Sequence, residues 1–364
     1  MSEKNILIVY WGKDGGLPKF AYEVADGLIR AGYNVYAVLS EDICNKDIWD
    51  SNSDIRKAVY IYTGNTKKFA AASFKMLTST KHKIKKELKN IDFYASICIM
   101  PYLWCRYISK ILHVKHKMII AHDPVPHSST NKLRAAMVKK ATKGYDHAII
   151  MTESFRQIMK DLYKYKDEQI CYMRHGLYSY GKPVEADNTN DGKINFLFFG
   201  NINKYKGIPV LLDAYKKAYS ESGNMTLRIA GRGNTSEWEK TMSELHDFTL
   251  INRFVADEEV PVLFSKPNTV TVLPYIDATQ SGVIPVAMEY LSPIIASDTG
   301  GLKEQLFNGE LGSFFKTGDS DELSELLVKY ATSPELIESE KATIKEYVRR
   351  LDWKNIVTEL IENL

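Results

Sequence analysis

The sequence predicts an α/β fold of two Rossmann-like, doubly wound domains in tandem, and three observations carry that prediction. The chain has 364 residues, 45% of them hydrophobic and 26% charged, as in soluble globular proteins of two domains. Short apolar runs alternate with longer amphipathic segments throughout, which is typical of parallel sheets. A polar stretch at 181–193 interrupts the alternation and predicts a linker. We expect domains at 1–180 and 194–335, and a helical segment at 336–364 that could cross back to the first domain.

The first half opens with an apolar strand at 5–10. A polar loop with Gly15 and Gly16 follows, and then a helix at 18–31, which Gly32 is placed to end. The other apolar runs of this half predict strands at 33–39, 58–62, 94–99, 117–121, 147–151 and 169–173.

The segment 66–90 predicts a basic amphipathic helix, with Phe69, Leu77, Ile84 and Leu88 on one face. The lysines around this face are Lys67, Lys68, Lys75, Lys81, Lys83, Lys85, Lys86 and Lys89. Such a helix suits an anionic membrane surface, or it packs its apolar face on the sheet as an outer helix. Both interpretations can hold, because lysines that flank a packed face can still meet lipid phosphates.

Charge is divided unevenly along the chain. Residues 1–182 hold 30 Lys and Arg against 17 Asp and Glu, whereas residues 183–364 hold 18 against 28. A basic half suits an anionic membrane, a phosphorylated ligand or nucleic acid, or it is an ordinary solvated surface. No zinc, RRM-like or arginine-rich motif accompanies the lysines, so we expect no nucleic acid partner.

The alternation restarts after the linker. It predicts strands at 194–199, 225–230, 249–254, 270–273 and 293–297. The helices are expected at 209–220, 236–245, 258–265, 284–291, 321–331 and 335–364.

Four glycine-containing loops follow predicted strands of the second half. They lie at 198–207, 227–233, 274–282 and 297–304. Glycine lets a ligand approach the backbone, and Lys206, just before a predicted helix, favours phosphate. Because the loops come at the carboxyl ends of strands in one domain, they predict a pocket for a nucleoside diphosphate.

These motifs resemble the donor domain of GT-B retaining glycosyltransferases of the family-4 type. Shared features are the loop that ends in Lys206-Gly207 and precedes "LLxA", "IAGxG" at 229–233, and "DEEVP" at 257–261. "LPY" with "ATQSG" at 273–282 and "ASDxGG" at 296–301 complete the match, which runs in order through about 194–330. The resemblance implies two such domains that face a cleft.

The resemblance also implies a donor site. Its residues would be Gly15, Gly16, Gly200, Asn201, Lys206, Gly231, Phe254, Val255, Gln280, Ser281, Gly282, Val283 and Glu289. Lys206 would contact the diphosphate, Phe254 and Val255 would lie beside the base, and 280–282 would lie near the distal phosphate and the sugar.

The sequence departs from the family pattern at two places. Asn201 stands where the family often has arginine, and the family's pair of glutamates is absent, with Val286 at the second of those positions. Glu289 lies three residues further on, hence on the same helix face. It could reach the ribose, or it is a solvated helix glutamate.

The first half resembles the family's acceptor domain more loosely. Gly15 and Gly16 match a loop that faces the donor diphosphate, and 120–127 is similar to the family's "HD-P-x-P-H" stretch. By that resemblance His122 would lie beside the transferred sugar. We assign His122, Asp123 and Lys206 as the catalytic residues.

The resemblance therefore implies a retaining glycosyltransferase of the hexosyltransferase type, and we expect it to work without a metal ion or a cofactor. A nucleotide-diphosphate sugar is the donor, and a saccharide or lipid-linked molecule the acceptor, as in assembly of bacterial surface polysaccharide. Alternatives are a nucleotide-sugar epimerase of the same architecture and a catalytically inactive subunit. Four scattered cysteines and the lack of any apolar run of about 20 residues predict a cytoplasmic protein, at most peripheral on the inner face of the membrane.

Overall fold

The chain forms two compact α/β units. The computed structural model describes residues 4–64, 69–122, 124, 132–184 and 192–364. The first unit comprises Met1–Arg174 together with Asp352–Leu364, and the second comprises His175–Leu351. Within the described ranges, no helix combines the length and the apolar character needed to cross a membrane.

Among its described residues before the second unit begins, the first unit has seven strands and seven α-helices. The strands are β1 Asn5–Tyr10, β2 Asn34–Ser40, β3 Ile55–Ile61, β4 Phe93–Cys98, β5 His116–Ala121, β6 His147–Ile150 and β7 Ile170–Tyr172. The helices are α1 Leu17–Arg30, α2 Lys46–Ser51, α3 Phe69–Lys75, α4 Lys81–Leu88, α5 Cys105–Ile111, α6 Lys132–Thr142 and α7 Phe155–Tyr163.

All seven strands lie parallel, in the order β3-β2-β1-β4-β5-β6-β7. Ile6, Leu7, Ile8 and Val9 of β1 have no exposed surface, because helices cover both faces of a parallel sheet. The order in which successive strands join the sheet reverses between β1 and β4: β1 to β3 extend toward one edge, and β4 to β7 extend toward the other. Ligands of such sheets bind at this switch point, beyond the carboxyl ends of the strands.

The basic segment is a broken helix, and one prediction about it is wrong. A π-helical turn, Met76–Thr80, joins α3 to α4. Ile84 and Leu88 are fully buried as predicted, but Leu77 is 52% exposed and Met76 is buried in its place. A π turn has more residues per turn than an α-helix, so it rotates the residues before α4 out of line with the buried face of α4. Lys67 and Lys68 lie outside the described residues, and so do the contacts of Phe69.

The described residues of the second unit hold six strands and seven α-helices, and they are followed by the last helix of the chain, which belongs to the first unit. The strands are β8 Ile194–Phe199, β9 Met225–Gly231, β10 Phe248–Asn252, β11 Thr269–Leu273, β12 Ile294–Ser297 and β13 Ser313–Phe315. The helices are α8 Ile208–Glu221, α9 Glu239–Ser243, α10 Val260–Phe264, α11 Val283–Glu289, α12 Leu302–Gln305, α13 Ser320–Thr332, α14 Pro334–Val348 and α15 Trp353–Glu362.

These six strands are also parallel, in the order β10-β9-β8-β11-β12-β13. The two sheets confirm the predicted fold class of two Rossmann-like domains. All twelve predicted strands are present, with ends displaced by at most three residues. The sequence did not predict β13, whose three residues are too few for a recognisable pattern.

The C-terminal segment is divided between the units. Asp352 has an extended backbone, and its carboxylate accepts a hydrogen bond from the N–H of Lys354, which begins α15 as a new helix. Trp353 packs edge-on against Phe20 of α1, with ring centroids 5.2 Å apart. Asp352 also pairs with Arg30 at 2.6 Å. Residues 352–364 therefore belong to the first unit, whereas α14 stays with the second.

The first part of the expected linker is anchored in the second unit. Tyr290, which directly follows α11, accepts a hydrogen bond from the N–H of Tyr180 and donates one to the carbonyl of Gly181. Upstream, the N–H of Leu177 donates to the carbonyl of Leu351. The boundary accordingly falls at 174/175, before the polar stretch, and 185–191 lie outside the described residues.

Candidate functional site

The four glycine loops of the second unit interlock at the carboxyl ends of its strands. A Cβ atom on Gly231 would overlap the carbonyl oxygen of Gly200, and one on Gly207 would overlap that of Pro274. The N–H of Ile276 donates to the carbonyl of Tyr205 at 2.8 Å, which joins the first loop to the third. These glycines are required because neighbouring backbones pass too close for any side chain.

Lys206 lies at this junction, two residues before the first turn of α8. Its Nζ atom lies 3.4 Å from the centre of the Tyr275 ring. Burial lowers the pKa of Lys206 to about 8. Among the described residues, no carboxylate lies within 4 Å of the ammonium, which is stabilised by two aromatic rings, Tyr275 and, with its centre at 5.2 Å, Tyr205. A half-buried cation without a counter-ion is suited to an anionic ligand.

The third loop holds itself together through Ser281. This residue is 2% exposed, its hydroxyl shares a hydrogen bond with the Tyr275 hydroxyl at 3.1 Å, and it accepts the N–H of Val283 at 3.2 Å. Its own N–H donates to the side chain of Gln305 at 2.7 Å. Ser281 thus uses both its hydroxyl and its N–H in hydrogen bonds within the protein.

Phe254 follows β10 and presents an exposed aromatic ring. It is 71% exposed, whereas Val255 beside it is buried. The guanidinium of Arg253 forks onto Glu259 at 2.5 and 2.7 Å and donates to the carbonyl of Phe254 at 3.1 Å. Arg253 also lowers the pKa of Glu259 to about 2. The turn that carries Phe254 is therefore fixed while its ring remains available for stacking.

In the first unit, Gly15, Gly16 and His122 follow strands near the switch point. Gly15 has a φ of +86°, and a Cβ on either glycine would meet no atom within 4 Å. His122 follows β5 and packs edge-on against Phe20, 4.8 Å between ring centres. Burial lowers the pKa of His122 to about 4, partly offset by a hydrogen bond with the backbone of Ile99. The imidazole is neutral at physiological pH and suited to hydrogen bonding. Asp123 lies outside the described residues.

The remaining predicted donor residues lie on or beside the third loop and the first. Asn201 and Gly282 are exposed, and Gln280 and Val283 are half-buried. Val283 approaches the first loop, since a Cβ on Gly200 would lie 3.7 Å from it. Glu289 is the last residue of α11, about two turns from Gly282.

Sequence reasoning missed two residues of this cluster. Tyr275 belongs to the "LPY" motif but is not among the predicted site residues, and its ring lies against the Lys206 ammonium. Gln305 gave no signal, because its hydrogen bonds reach a residue 24 positions away. Across the described part of the chain, no group of three or more His, Cys, Asp or Glu side chains could hold a metal ion.

Comparison with known proteins connects the second unit to a family. Residues 184–350 match the family model described as glycosyl transferases group 1. A phosphatidyl-myo-inositol mannosyltransferase of Mycobacterium leprae is 29% identical over 169 residues, which cover 45% of this chain and 44% of that protein. The chain thus matches less than half the length of this relative. These findings confirm the family resemblance predicted from the motifs.

Solved structures extend the likeness of fold to the whole chain. Sucrose-phosphate synthase of Thermosynechococcus elongatus has a TM-score of 0.75 at 16% identity, covering 99% of this chain and 98% of its own. Anabaena HepE in complex with UDP also has a TM-score of 0.75, at 13% identity, covering 99% and 100%. At these identities the comparison shows the fold, which is the GT-B fold.

Proposed function

We propose that this chain, whose residues 184–350 match the glycosyl transferases group 1 model, is a retaining, metal-independent hexosyltransferase. The donor is a nucleotide-diphosphate sugar, and the acceptor is a saccharide or lipid-linked molecule of bacterial surface polysaccharide synthesis. The observation that carries the proposal is the Lys206 ammonium, half-buried at the junction of the glycine loops. HepE was solved with UDP, which supports a donor of this class.

Lys206 replaces a metal ion in this mechanism. As the bond to the sugar breaks, negative charge develops on the leaving diphosphate. The Lys206 ammonium stabilises that charge, and its weak hydration in a half-buried position strengthens the attraction. Phe254 stacks on the base. His122, neutral at physiological pH, accepts or donates a hydrogen bond to the transferred sugar, and Asp123, the next residue in the sequence, stays a predicted catalytic residue.

Substitution of Lys206 tests the donor site. One nucleoside diphosphate of the panel UDP, GDP, ADP and CDP should raise the melting temperature of wild type, because a bound ligand stabilises the folded protein by mass action. Lys206→Ala should lose about 1.5–3 kcal/mol of affinity for that nucleotide, the contribution of a charge-assisted hydrogen bond. Unchanged affinity in Lys206→Ala would remove the phosphate role of the lysine.

His122→Ala separates sugar contact from nucleotide contact. It should lower the rate of nucleotide release from the sugar donor more than tenfold while leaving the affinity for the free nucleoside diphosphate unchanged. Measured release of free nucleotide in wild type would exclude an inactive subunit. If His122→Ala weakened nucleotide binding as much as turnover, the residue would have a structural role only.

We also propose that the first unit contacts an anionic bilayer through α3, the π turn and α4. Phe74 and Leu77 are 70% and 52% exposed, one turn apart. Lysines flank them on the same segment, and Lys75, Lys86 and Lys89 are exposed. Exposed apolar side chains among lysines suit a surface that offers both acyl chains and phosphates.

Liposome co-sedimentation tests this contact. Wild type should pellet with phosphatidylglycerol-containing vesicles at low salt and not with pure phosphatidylcholine. The variant Lys81→Ser, Lys83→Ser, Lys85→Ser, Lys86→Ser and the variant Phe74→Ser, Leu77→Ser should each stay largely in the supernatant. Ile48→Ser is the control, because Ile48 is also an exposed apolar residue, at 45%, and lies outside this segment; this variant should pellet. Equal sedimentation of all proteins would leave the lysines as a solvated face.

A further inference from the structure

The carboxamide of Gln305 makes two hydrogen bonds to the backbone of one residue, Ser281. The Ser281 N–H donates to Oε1 at 2.7 Å, and Nε2 donates to the Ser281 carbonyl at 3.2 Å. Gln305 is the last residue of α12, so the pair ties the loop 274–282 to a different part of the fold. Two bonds to one residue fix the peptide groups on both its sides, as pairing with a neighbouring strand does.

From Ser281 the contacts continue to Lys206. The Ser281 hydroxyl and the Tyr275 hydroxyl share a hydrogen bond of 3.1 Å, and the Lys206 Nζ lies 3.4 Å from the centre of the Tyr275 ring. Tyr275 has no exposed surface and Ser281 only 2%, so neither can move without disturbing close-packed neighbours. The position of the ammonium therefore depends on where Gln305 holds Ser281.

We propose that Gln305 is a positioning residue of the donor site, which holds the loop 274–282 and, through Ser281 and Tyr275, the Lys206 ammonium in the arrangement that receives the diphosphate. The proposal rests on the proposed function.

Hydrogen exchange tests the clamp without any ligand. In wild type, the Ser281 amide should exchange slowly, because it is buried and hydrogen-bonded to Gln305. Gln305→Leu keeps a side chain of similar size and removes both hydrogen bonds, and it should speed exchange of this amide at least tenfold. The amides of β11, before the loop, should be unchanged. Equal protection in both proteins would overturn the clamp.

Affinity measurements test whether the clamp serves the ligand. The probe is the member of the UDP, GDP, ADP and CDP panel that wild type binds most tightly, together with its nucleoside monophosphate. Gln305→Leu should weaken the diphosphate about tenfold and the monophosphate less. Gln157→Leu is the matched control, since Gln157 is exposed and bonds only Asp161 of its own helix, α7, and its affinity should equal wild type.

A double-mutant cycle distinguishes positioning from a general structural role. If Gln305 acts through Lys206, the double variant Gln305→Leu, Lys206→Ala should bind the diphosphate no more weakly than Lys206→Ala alone. If Gln305 only stabilises the unit, the two losses in affinity should multiply, and the proposal falls. If wild type binds no nucleoside diphosphate, the proposed function fails, and with it the ligand role of Gln305, while the exchange result still decides the clamp.

Discussion

The glycine loops of the two units look alike in the sequence and differ in the structure. In the second unit, Gly207 and Gly231 let loops pass so close that an added Cβ would overlap a backbone carbonyl. In the first unit, an added Cβ on Gly15 or Gly16 would meet nothing. Glycine thus allows close contact between loops in the second unit, whereas it leaves open space beside the loop in the first unit. A glycine after a strand does not by itself tell which of the two it does.

The basic side chains His122 and Lys206, one in each unit, also differ in their charge at neutral pH. Burial lowers the pKa of His122 to about 4 and that of Lys206 to about 8. The imidazole is therefore neutral, and the ammonium is still charged, at pH 7. The first unit therefore offers an uncharged hydrogen-bonding group and the second unit a cation.

Substitution by alanine should destabilise the protein strongly at Gly231 and hardly at Gly16. Gly231→Ala adds an atom that overlaps the Gly200 carbonyl at a φ of +154°, and it should lower the free energy of unfolding by about 3 kcal/mol. Gly16→Ala has open space and a φ of −76°, and its effect should stay within about 0.5 kcal/mol. Urea unfolding of both variants measures the difference.

The same pair of variants separates packing from ligand contact. If a ligand approaches the backbone at Gly16, Gly16→Ala should raise the KM for the donor although it hardly changes stability. Similar unfolding free energies for the two variants would contradict the contrast between closed and open loops.

The sequence predicted the strands because burial on both faces leaves continuous apolar runs, as in β1 and β8. It failed where geometry departs from a regular period. The π turn before α4 turns Leu77 outward, and no residue in Met76–Thr80 announces that turn. The break before α15 does have a signal, since Asp352 is a good N-cap residue inside an otherwise helical pattern.

The candidate site could be predicted only as far as its motifs reach. Glycines and Lys206 follow strands, so topology alone brings them to one edge of the sheet. The contacts that hold them in place connect different parts of the chain. The ring of Tyr275 lies against the Lys206 ammonium, and Gln305 is hydrogen-bonded to Ser281. Such contacts depend on side-chain directions in the folded chain, which spacing along one sequence does not encode.

The pH dependence of nucleotide binding sharpens the contrast between the two buried bases. Affinity for the nucleoside diphosphate should fall as the pH rises through about 8, because free Lys206 then loses its proton and binding must restore it. The loss should approach tenfold per pH unit above that value. Stability of the free protein should respond in the opposite direction. The pKa of this lysine is lower in the folded than in the unfolded chain, so its contribution to the free energy of unfolding rises as the pH rises above 8.

Lys206→Met, which cannot titrate, is the control for nucleotide binding, and its weaker affinity should lack the fall above pH 8. Calorimetric titration from pH 6 to 9.5 measures both proteins. His122, neutral throughout that range, should add no step of its own. Parallel profiles for wild type and Lys206→Met would mean that the ammonium does not meet the diphosphate.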